Sequence, residues 1–345
     1  MQYKVSIKRK CYLLSVLLMT VWLTGCVQEE LGSTPSPTGN GIRFTLTVPD
    51  VSLPSVSART MTGTGTAKKE DEIETVDILV FDMSKTPAVF LEWVSATGVT
   101  QDLADNSTVS FSAVLSPTTA STCIVVVANK ELDNIVSGFT KGATTKVEAM
   151  EKMLHTQTGK WLADGSTTDG YTRIPMYGEK VISKITPSMD PITGINMKRM
   201  LARIDIRNNS ATSNFTVEEV YLANYNTTGY IAPAWNTNGQ VTDPVPDTPV
   251  LPAGSGKMTE EGDAILYSVN GNTPYDGEIY TFESLAAEDA GGAGADGEAS
   301  RKDATCLIVK GRIGTGESTF YRVDFTKNGN TGEQVEYLPL KRNHK

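Results

Sequence analysis

The sequence predicts an all-β protein with two β-sandwich domains in tandem. Short apolar segments with strand-like patterns recur along its 345 residues, and 30 glycines and 16 prolines, with many serines and threonines, provide turns between them. One segment alone has helical spacing. With 39% hydrophobic residues, a chain of this length can build two sizeable cores. These observations argue against a helix-rich architecture.

The predicted strands alternate apolar and polar residues or form short apolar runs between turn residues. In the first half of the chain they are 41–50, 73–82, 88–94, 108–115, 122–128, 173–182 and 192–197. In the second half they are 200–206, 215–223, 278–283, 305–313, 319–326 and 335–340. A turn-rich connection at 185–195 places the boundary between an N-terminal domain, 41–190, and a C-terminal domain, 191–345.

A single short helix is predicted near 145–155. Thr145 and Glu148 have the spacing of a capping box, and the apolar residues that follow have a helical period. His155, one of only two histidines, would lie at the C-terminal end of this helix, where the helix dipole favours a positive charge. At the start of the second domain, Met200 is expected on the same strand face as Ala202.

The first 25 residues resemble a bacterial lipoprotein signal peptide. Four basic residues and no acidic one precede the apolar run 12–23, which is too short for a comfortable membrane span. The run ends in LTGC, residues 23–26, a lipobox in which the Cys26 thiol receives a diacylglyceryl group and becomes the new N-terminus. An ordinary signal peptide with a chance cysteine is the alternative. We expect a flexible tether over 26–40.

Charge and composition argue against several classes of function. The formal net charge is −9 and there is no basic patch, which disfavours a nucleic-acid partner. Signatures such as G-x-S-x-G, H-E-x-x-H and G-x-x-x-x-G-K-[ST] are missing, so we expect no enzymatic activity, no cofactor and no metal site. Cys123 and Cys306 lie in apolar runs of different predicted domains and are expected to be buried thiols, with a disulfide between them disfavoured.

The strand that follows the tether is predicted to be removable. The apolar side chains on one face of segment 41–50 are Ile42, Phe44, Leu46 and Val48. A patternless loop, 51–70, comes next and contains Arg59. Cleavage after Arg59 would release the lipid and the strand together, and the open apolar groove would invite strand addition from another chain. The alternative is that Arg59 is one basic residue in a loop that no protease cuts.

The order of these features resembles the fimbrillins of Bacteroidota, the type V pilus subunit family. The segments that carry the resemblance are LTGC (23–26), IRFTLTV (42–48), SART (57–60), ETVDILVFD (74–82), MLARIDI (200–206), YRVDF (321–325) and YLPLKRNH (337–344). The resemblance covers most of the chain. It implies two transthyretin-like β-sandwich domains after the signal peptide.

The resemblance also implies a route to the cell surface. Fimbrillins are exported as lipoproteins to the outer membrane, cut by an Arg-specific surface protease and assembled by strand exchange into fimbriae that support adhesion and biofilm formation. Cys26 matches the lipidation site, Arg59 and Thr60 match the maturation site, and 41–50 matches the removed strand. Arg43 is a competing cleavage site inside that strand. The implied partners are other fimbrial subunits, through β-strand addition, with a surface ligand that is not identified.

Two classes of function remain open at this point. The first is a structural subunit of the fimbrial shaft or tip, which an accessible Arg59 favours. The second is a lipid-anchored surface binding protein that does not polymerise, or a fimbrial anchor. Because fimbrillins usually continue beyond a segment like 337–344, we also expect a second sandwich that is short of its C-terminal strands and has an unpaired sheet edge.

Overall fold

The computed structural model describes most of the chain after residue 41. The described residues are 42–48, 69–101, 108–162, 172–208, 213–242, 246, 248–258, 262–269, 271, 275–288, 301–327 and 335–345. The predicted signal peptide, the tether, Cys26, Arg59 and Thr60 lie outside them. Within the described residues, no helix has the length and apolar character needed to cross a membrane.

Two sheets pack face to face in the first half of the chain. The strands of the first sheet are β1 Ile42–Thr47, β4 Thr97–Gln101, β5 Thr108–Ala113 and β9 Ile192–Asn196, in the order β4-β5-β1-β9. The strands of the second are β2 Val76–Asp82, β3 Val89–Ser95, β6 Thr122–Ala128, β8 Met176–Ile182 and β10 Lys198–Arg199, in the order β10-β8-β6-β2-β3.

An apolar core lies between these two sheets. Phe44 of β1 and Phe111 of β5 enter it from one side, and Ile78 of β2 and Ile124 of β6 enter it from the other. All four side chains are buried. Because successive strand residues point to opposite faces, alternate positions reach this core, as the period of two predicted for β1 and β5 requires. The prediction of an all-β sandwich fold is confirmed.

After Thr122, strand β6 is apolar because both of its faces are covered. Val126 contacts the core between the two sheets, whereas Val125 contacts a second core on the opposite face. That second core is closed by two short helices, α1 Asp133–Val136 and α2 Lys146–Lys152, and by residues of the second half such as Phe282. The sequence of a strand that is buried on both faces is a nearly continuous run of apolar residues.

The capping box predicted for the helix is present. Thr145 Oγ1 accepts a hydrogen bond from the Glu148 backbone N–H at 3.2 Å, and the Glu148 carboxylate accepts one from the Thr145 N–H at 2.8 Å. Two of the backbone N–H groups at the start of α2 are thereby paired. The sequence did not predict the four-residue helix α1, because it is too short to have a helical period.

The helix ends earlier than predicted, and this moves His155. Met153 leaves the helical conformation, and the next residues form β7 Leu154–Thr156, which pairs with β13 Thr228–Tyr230. His155 therefore lies in a strand, so the prediction that it interacts with the helix dipole is wrong. Its ring packs against Trp161, and burial, reinforced by the charge of Lys130, lowers its pKa to about 4 against a weaker opposite effect of Gln157.

A second sandwich follows in the second half of the chain. Its smaller sheet pairs β11 Ala202–Ile206 with β15 Tyr275–Thr281. Its larger sheet contains β12 Phe215–Ala223, β14 Ile265–Ser268, β16 Cys306–Ile313 and β17 Thr319–Val323, in the order β14-β12-β16-β17. Ile204 and Ile279 of the smaller sheet meet Val220 and Leu307 of the larger one in a third apolar core.

Strand pairing bears on the boundary between the two sandwiches. β9 runs parallel to β1, and β10 pairs with β8, so residues up to Arg199 complete the sheets of the first half. We propose that the boundary lies after Arg199 rather than at residue 190. Met200 precedes β11 and packs into the second core, whereas Ala202 packs into the third, so the expectation that they share a face is wrong.

Residues 335–340 do not form the strand that was predicted. They make only isolated bridges, between Tyr337 and Thr326 and between Leu340 and Ser284. In contrast, β4, β7, β13 and β14 were not predicted. These strands are short or rich in polar residues and glycine, and β7, β13 and β14 also pair with strands more than 40 residues away, so no local pattern indicates them.

Candidate functional site

The first strand occupies a central position in its sheet. β1 lies between β5 and β9, antiparallel to the former and parallel to the latter. Its register with β5 is continuous from Ile42 opposite Ala113 to Thr47 opposite Thr108. A strand with two neighbours contributes ladder hydrogen bonds on both sides, so its removal would leave two strand edges unpaired.

The four side chains predicted to face the core are all buried. Their exposed fractions are 4% for Ile42, 1% for Phe44, 0% for Leu46 and 2% for Val48. Phe44 stacks on Phe111 with ring centroids 4.9 Å apart. The structure thus brings these residues together as one continuous apolar face, as the alternation in the sequence predicted.

Burial of this face is a large part of what holds β1 in place. At about 1.5–3 kcal/mol per buried side chain, the four residues contribute about 6–12 kcal/mol. The other face of the strand is polar, and Arg43 is exposed there. The backbone of Arg43 is nevertheless inside the ladder, opposite Ser112, so a protease cannot bind it in extended form while β1 is in place.

Residues Lys69–Asp71 form a 3-10 helix that is held by several side-chain contacts. Glu70 is 8% exposed. One of its carboxylate oxygens lies 3.1 Å from Arg203 Nη1, and the other accepts a hydrogen bond from Tyr280 Oη at 2.9 Å. We call this group, with Asp71, Arg199 and Asn343, the Glu70 cluster.

The rest of the Glu70 cluster reaches the last residues of the chain. Arg199 forms an ion pair with Asp71 and donates a hydrogen bond to Asn343 Oδ1 at 2.8 Å. Burial alone would lower the pKa of Arg203. The hydrogen bond to Asp205 and the charge of Glu70 outweigh that effect, so the pKa of Arg203 is raised.

The Glu70 carboxylate also changes the pKa of the Tyr280 hydroxyl. Burial and the adjacent Glu70 both raise the pKa of Tyr280, so this residue stays protonated and donates. The Glu70 cluster therefore joins the chain before β2 to both halves of the molecule. The sequence gives no sign of it, because the residues that pair in it are more than 100 positions apart.

The larger sheet of the second sandwich has an apolar edge. Within the described part of the chain, β17 pairs with β16 and has no further strand neighbour. Phe320 is 59% exposed and Val323 is 40% exposed, on opposite faces of this strand. The expectation that this sandwich is short of its C-terminal strands stays a prediction.

The two cysteines of the described region are both free and buried. Burial raises the pKa of Cys123 to about 12 and also raises that of Cys306. Thiols of this kind are poor nucleophiles and pack as small apolar groups, in agreement with their positions in β6 and β16. In the described ranges, no three His, Cys, Asp or Glu side chains are grouped as metal ligands.

Comparisons with known proteins give one match to a family. Residues 42–199 match the family model described as major fimbrial subunit protein (FimA). This match confirms the resemblance to fimbrillins over that part of the chain. No curated protein matches the chain.

Two solved structures are similar over much of the chain. A candidate cell adhesion protein from Parabacteroides distasonis ATCC 8503 is 18% identical, with a TM-score of 0.45, over 88% of this chain and 85% of the other. A fimbrial assembly protein from the same organism is 12% identical, with a TM-score of 0.40, over 82% of this chain and 85% of the other.

Proposed function

We propose, from the match of residues 42–199 to the major fimbrial subunit family, that this protein is a structural subunit of a cell-surface fimbria. In this proposal it is exported as a lipoprotein with its lipid on Cys26. An Arg-specific protease then cuts after Arg59, and Thr60 becomes the new N-terminus. The matured subunits assemble by strand exchange and support adhesion and biofilm formation.

The observation that carries the proposal is the position of β1. Its apolar face is buried and it lies in the middle of a sheet, yet it is the first of the described strands, and Arg59 lies in the sequence between it and the next described strand, β2. A cut after Arg59 would therefore remove the covalent tie of β1 without interrupting any other strand that the structure describes. The Glu70 cluster would keep the remaining chain in place, since it holds residues 70 and 71 against both halves.

The groove left by β1 defines what can replace it. An incoming strand must hydrogen-bond to the edges of β5 and β9 and must present four apolar side chains at alternate positions. The apolar contribution of about 6–12 kcal/mol that β1 makes is then available to the incoming strand. Another subunit that supplies such a strand would be joined to this one without a covalent bond. Repetition of this link from subunit to subunit would produce a polymer.

Limited proteolysis tests maturation. We expect a low dose of trypsin to cut the purified protein after Arg59 before it cuts after Arg43, with Thr60 found by N-terminal sequencing. Arg59→Ala should abolish this first product, and the matched control Arg43→Ala should leave it unchanged. A first cut elsewhere, with residues 57–60 intact, would contradict the assignment of Arg59.

Assembly is measured separately on the cut protein. We expect the species that has lost β1 to form oligomers on size-exclusion chromatography and fibres by electron microscopy. Cut protein that loses β1 and stays monomeric would favour the alternative, a lipid-anchored surface binding protein or a fimbrial anchor. Lipidation is tested by mass spectrometry of the mature N-terminus, where Cys26→Ser should remove the diacylglyceryl group.

A further inference from the structure

A cavity with a mixed polar and apolar lining in the second sandwich has no part in the proposed strand exchange. Its volume is about 130 Å³, well above the minimum of about 10–15 Å³ that a single water molecule needs. Its lining residues come from four separate stretches of chain and are Asn226, Leu251, Ser255, Lys257, Ser284, Leu285 and Thr305. The cavity is therefore formed only when the second half of the chain is folded.

The polar side chains of the floor are held in place by the protein. Asn226, Ser284 and Thr305 are all buried, with exposed fractions of 4%, 5% and 6%. The Thr305 hydroxyl donates its proton to the Asn224 carbonyl at 2.8 Å, and the Ser255 hydroxyl donates to Asn226 Oδ1 at 3.3 Å. Hydroxyl oxygens whose protons are used in this way still have lone pairs, so they can accept hydrogen bonds from a ligand hydroxyl.

The cation in the lining is Lys257. Its ammonium donates a hydrogen bond to the Asp303 carbonyl, and an ammonium has three protons to donate. Burial lowers the pKa of Lys257, although the carboxylate of Asp303 opposes this effect. A half-buried ammonium is stabilised by an anion beside it, because burial removes part of its hydration.

Basic side chains lie along the stretch of chain that leads into the cavity. Arg322 donates hydrogen bonds to the carbonyls of Arg301, Lys302 and Ala304, the residues that precede Thr305. Among the described residues here, Lys257 donates to the Asp303 carbonyl, and Arg301 and Arg322 both form ion pairs with Asp324.

We infer that this cavity binds a small hydroxylated carboxylate, with the carboxylate on Lys257 and a ligand hydroxyl on Thr305. The apolar side chains of Leu251 and Leu285 would cover its carbon atoms. Two sources have this chemistry, a free hydroxy acid or the carboxylate end of an acidic sugar. The cavity holds either one, since the second needs only its acidic end to enter.

Ligand-observed NMR titrations of the purified protein test this inference with D-glycerate and D-glucuronate as the two probes. Acetate, glucose and inorganic phosphate serve as comparison ligands that lack the hydroxyl, the charge or the carboxylate. We expect saturable binding of at least one probe that is stronger than binding of all three comparison ligands. Binding of glycerate alone would identify a free hydroxy acid, and binding of glucuronate would identify an acidic sugar.

Two variants locate the site. Lys257→Met, which keeps the length of the side chain, should weaken probe binding about tenfold, and Thr305→Val, which keeps its shape, should weaken it about fivefold. Lys141→Met, at an exposed lysine far along the chain, should change nothing. Circular dichroism verifies that each variant is folded. If Lys257→Met does not fold, Thr305→Val still tests the site.

Three results would overturn the inference. The first is the absence of saturable binding by both probes. The second is probe affinity that stays the same in folded Lys257→Met and Thr305→Val. The third is phosphate or acetate binding as strongly as the probes, because the site would then recognise any anion. None of these results depends on cleavage after Arg59 or on polymerisation, so the proposed fimbrial role is tested independently.

Discussion

At the scale of single residues, Phe44 shows how much one side chain contributes to holding the first strand. Its ring is 1% exposed and stacks on Phe111 at 4.9 Å. Phe44→Ala would remove this contact and leave a cavity between the two sheets. We expect the free energy of unfolding to fall by about 3–5 kcal/mol, measured by urea denaturation monitored by circular dichroism.

Thr45→Ala is the matched control for this prediction. Thr45 is the next residue of β1 and lies on the opposite, polar face of the strand. We expect it to change the free energy of unfolding by less than about 1 kcal/mol. Equal effects of the two substitutions would show that the apolar face of β1 does not determine its stability.

His155 makes the stability of the protein dependent on pH. Its folded pKa is lowered to about 4, chiefly by burial, whereas the unfolded chain has a value near 6.5. At neutral pH the imidazole is uncharged in both states. As the pH falls from about 6.5 towards 4, the unfolded chain binds the proton more readily, so this contribution to stability is lost.

We expect His155→Phe to be less sensitive to pH in that window than the natural chain. The measurement is the difference in urea midpoint between pH 7 and pH 5 for the two proteins. The neighbours Lys130 and Gln157 are unchanged in the variant, so they do not account for a difference. A direct NMR titration that places the His155 pKa near 6.5 would refute the prediction.

At the scale of elements, the 3-10 helix Lys69–Asp71 secures the chain between the proposed cleavage site and β2. Glu70→Ala would leave Arg203 without one of its two carboxylate partners in a largely buried position. Removing one member of such a pair is costly because the other charge stays buried. We expect a loss of about 3 kcal/mol in the free energy of unfolding, measured by chemical denaturation.

An exposed ion pair provides the comparison. Lys327 and Glu336 are 3.0 Å apart, with 42% and 55% of their side chains exposed. Glu336→Ala should therefore cost less than about 1 kcal/mol, since water solvates both charges. If Glu70→Ala costs no more than Glu336→Ala, the Glu70 cluster does not anchor this part of the chain.

Some elements could be predicted from sequence to the residue, and others could not be predicted. β6 and β12 have the predicted bounds, 122–128 and 215–223, because long apolar or alternating patterns end at clear turn residues. β7 was taken for the end of a helix, because its pairing with β13 joins residues more than 70 positions apart. Local spacing contains no information about such a partner.

At the scale of the whole molecule, the two sandwiches share the core that covers the outer face of β6. Phe282, from the second half, is 4% exposed there and packs edge-on against Trp161 of the first half. A shared core couples the unfolding of the two halves, because neither can open without exposing the apolar surface of the other. We expect the two halves to unfold together in one transition.

Phe282→Ala tests this coupling. The substitution should lower the free energy of unfolding by about 3–5 kcal/mol and should do so for both halves. Hydrogen exchange measured by mass spectrometry reports the two halves separately, through β6 in the first and β12 in the second. Loss of protection in β12 with unchanged protection in β6 would show that the halves are independent.

The sequence by itself determined the all-β class and the buried face of the first strand, which rest on residues close together in the chain, and the resemblance to fimbrillins, which rests on the order of short segments. Only the tertiary structure decided that β1 lies in the middle of its sheet, that Glu70 meets Arg203 and Tyr280, and that Lys257 shares a cavity with Thr305. Contacts of that kind join residues distant in the chain, and packing and hydrogen bonding select them only when folding brings those residues together.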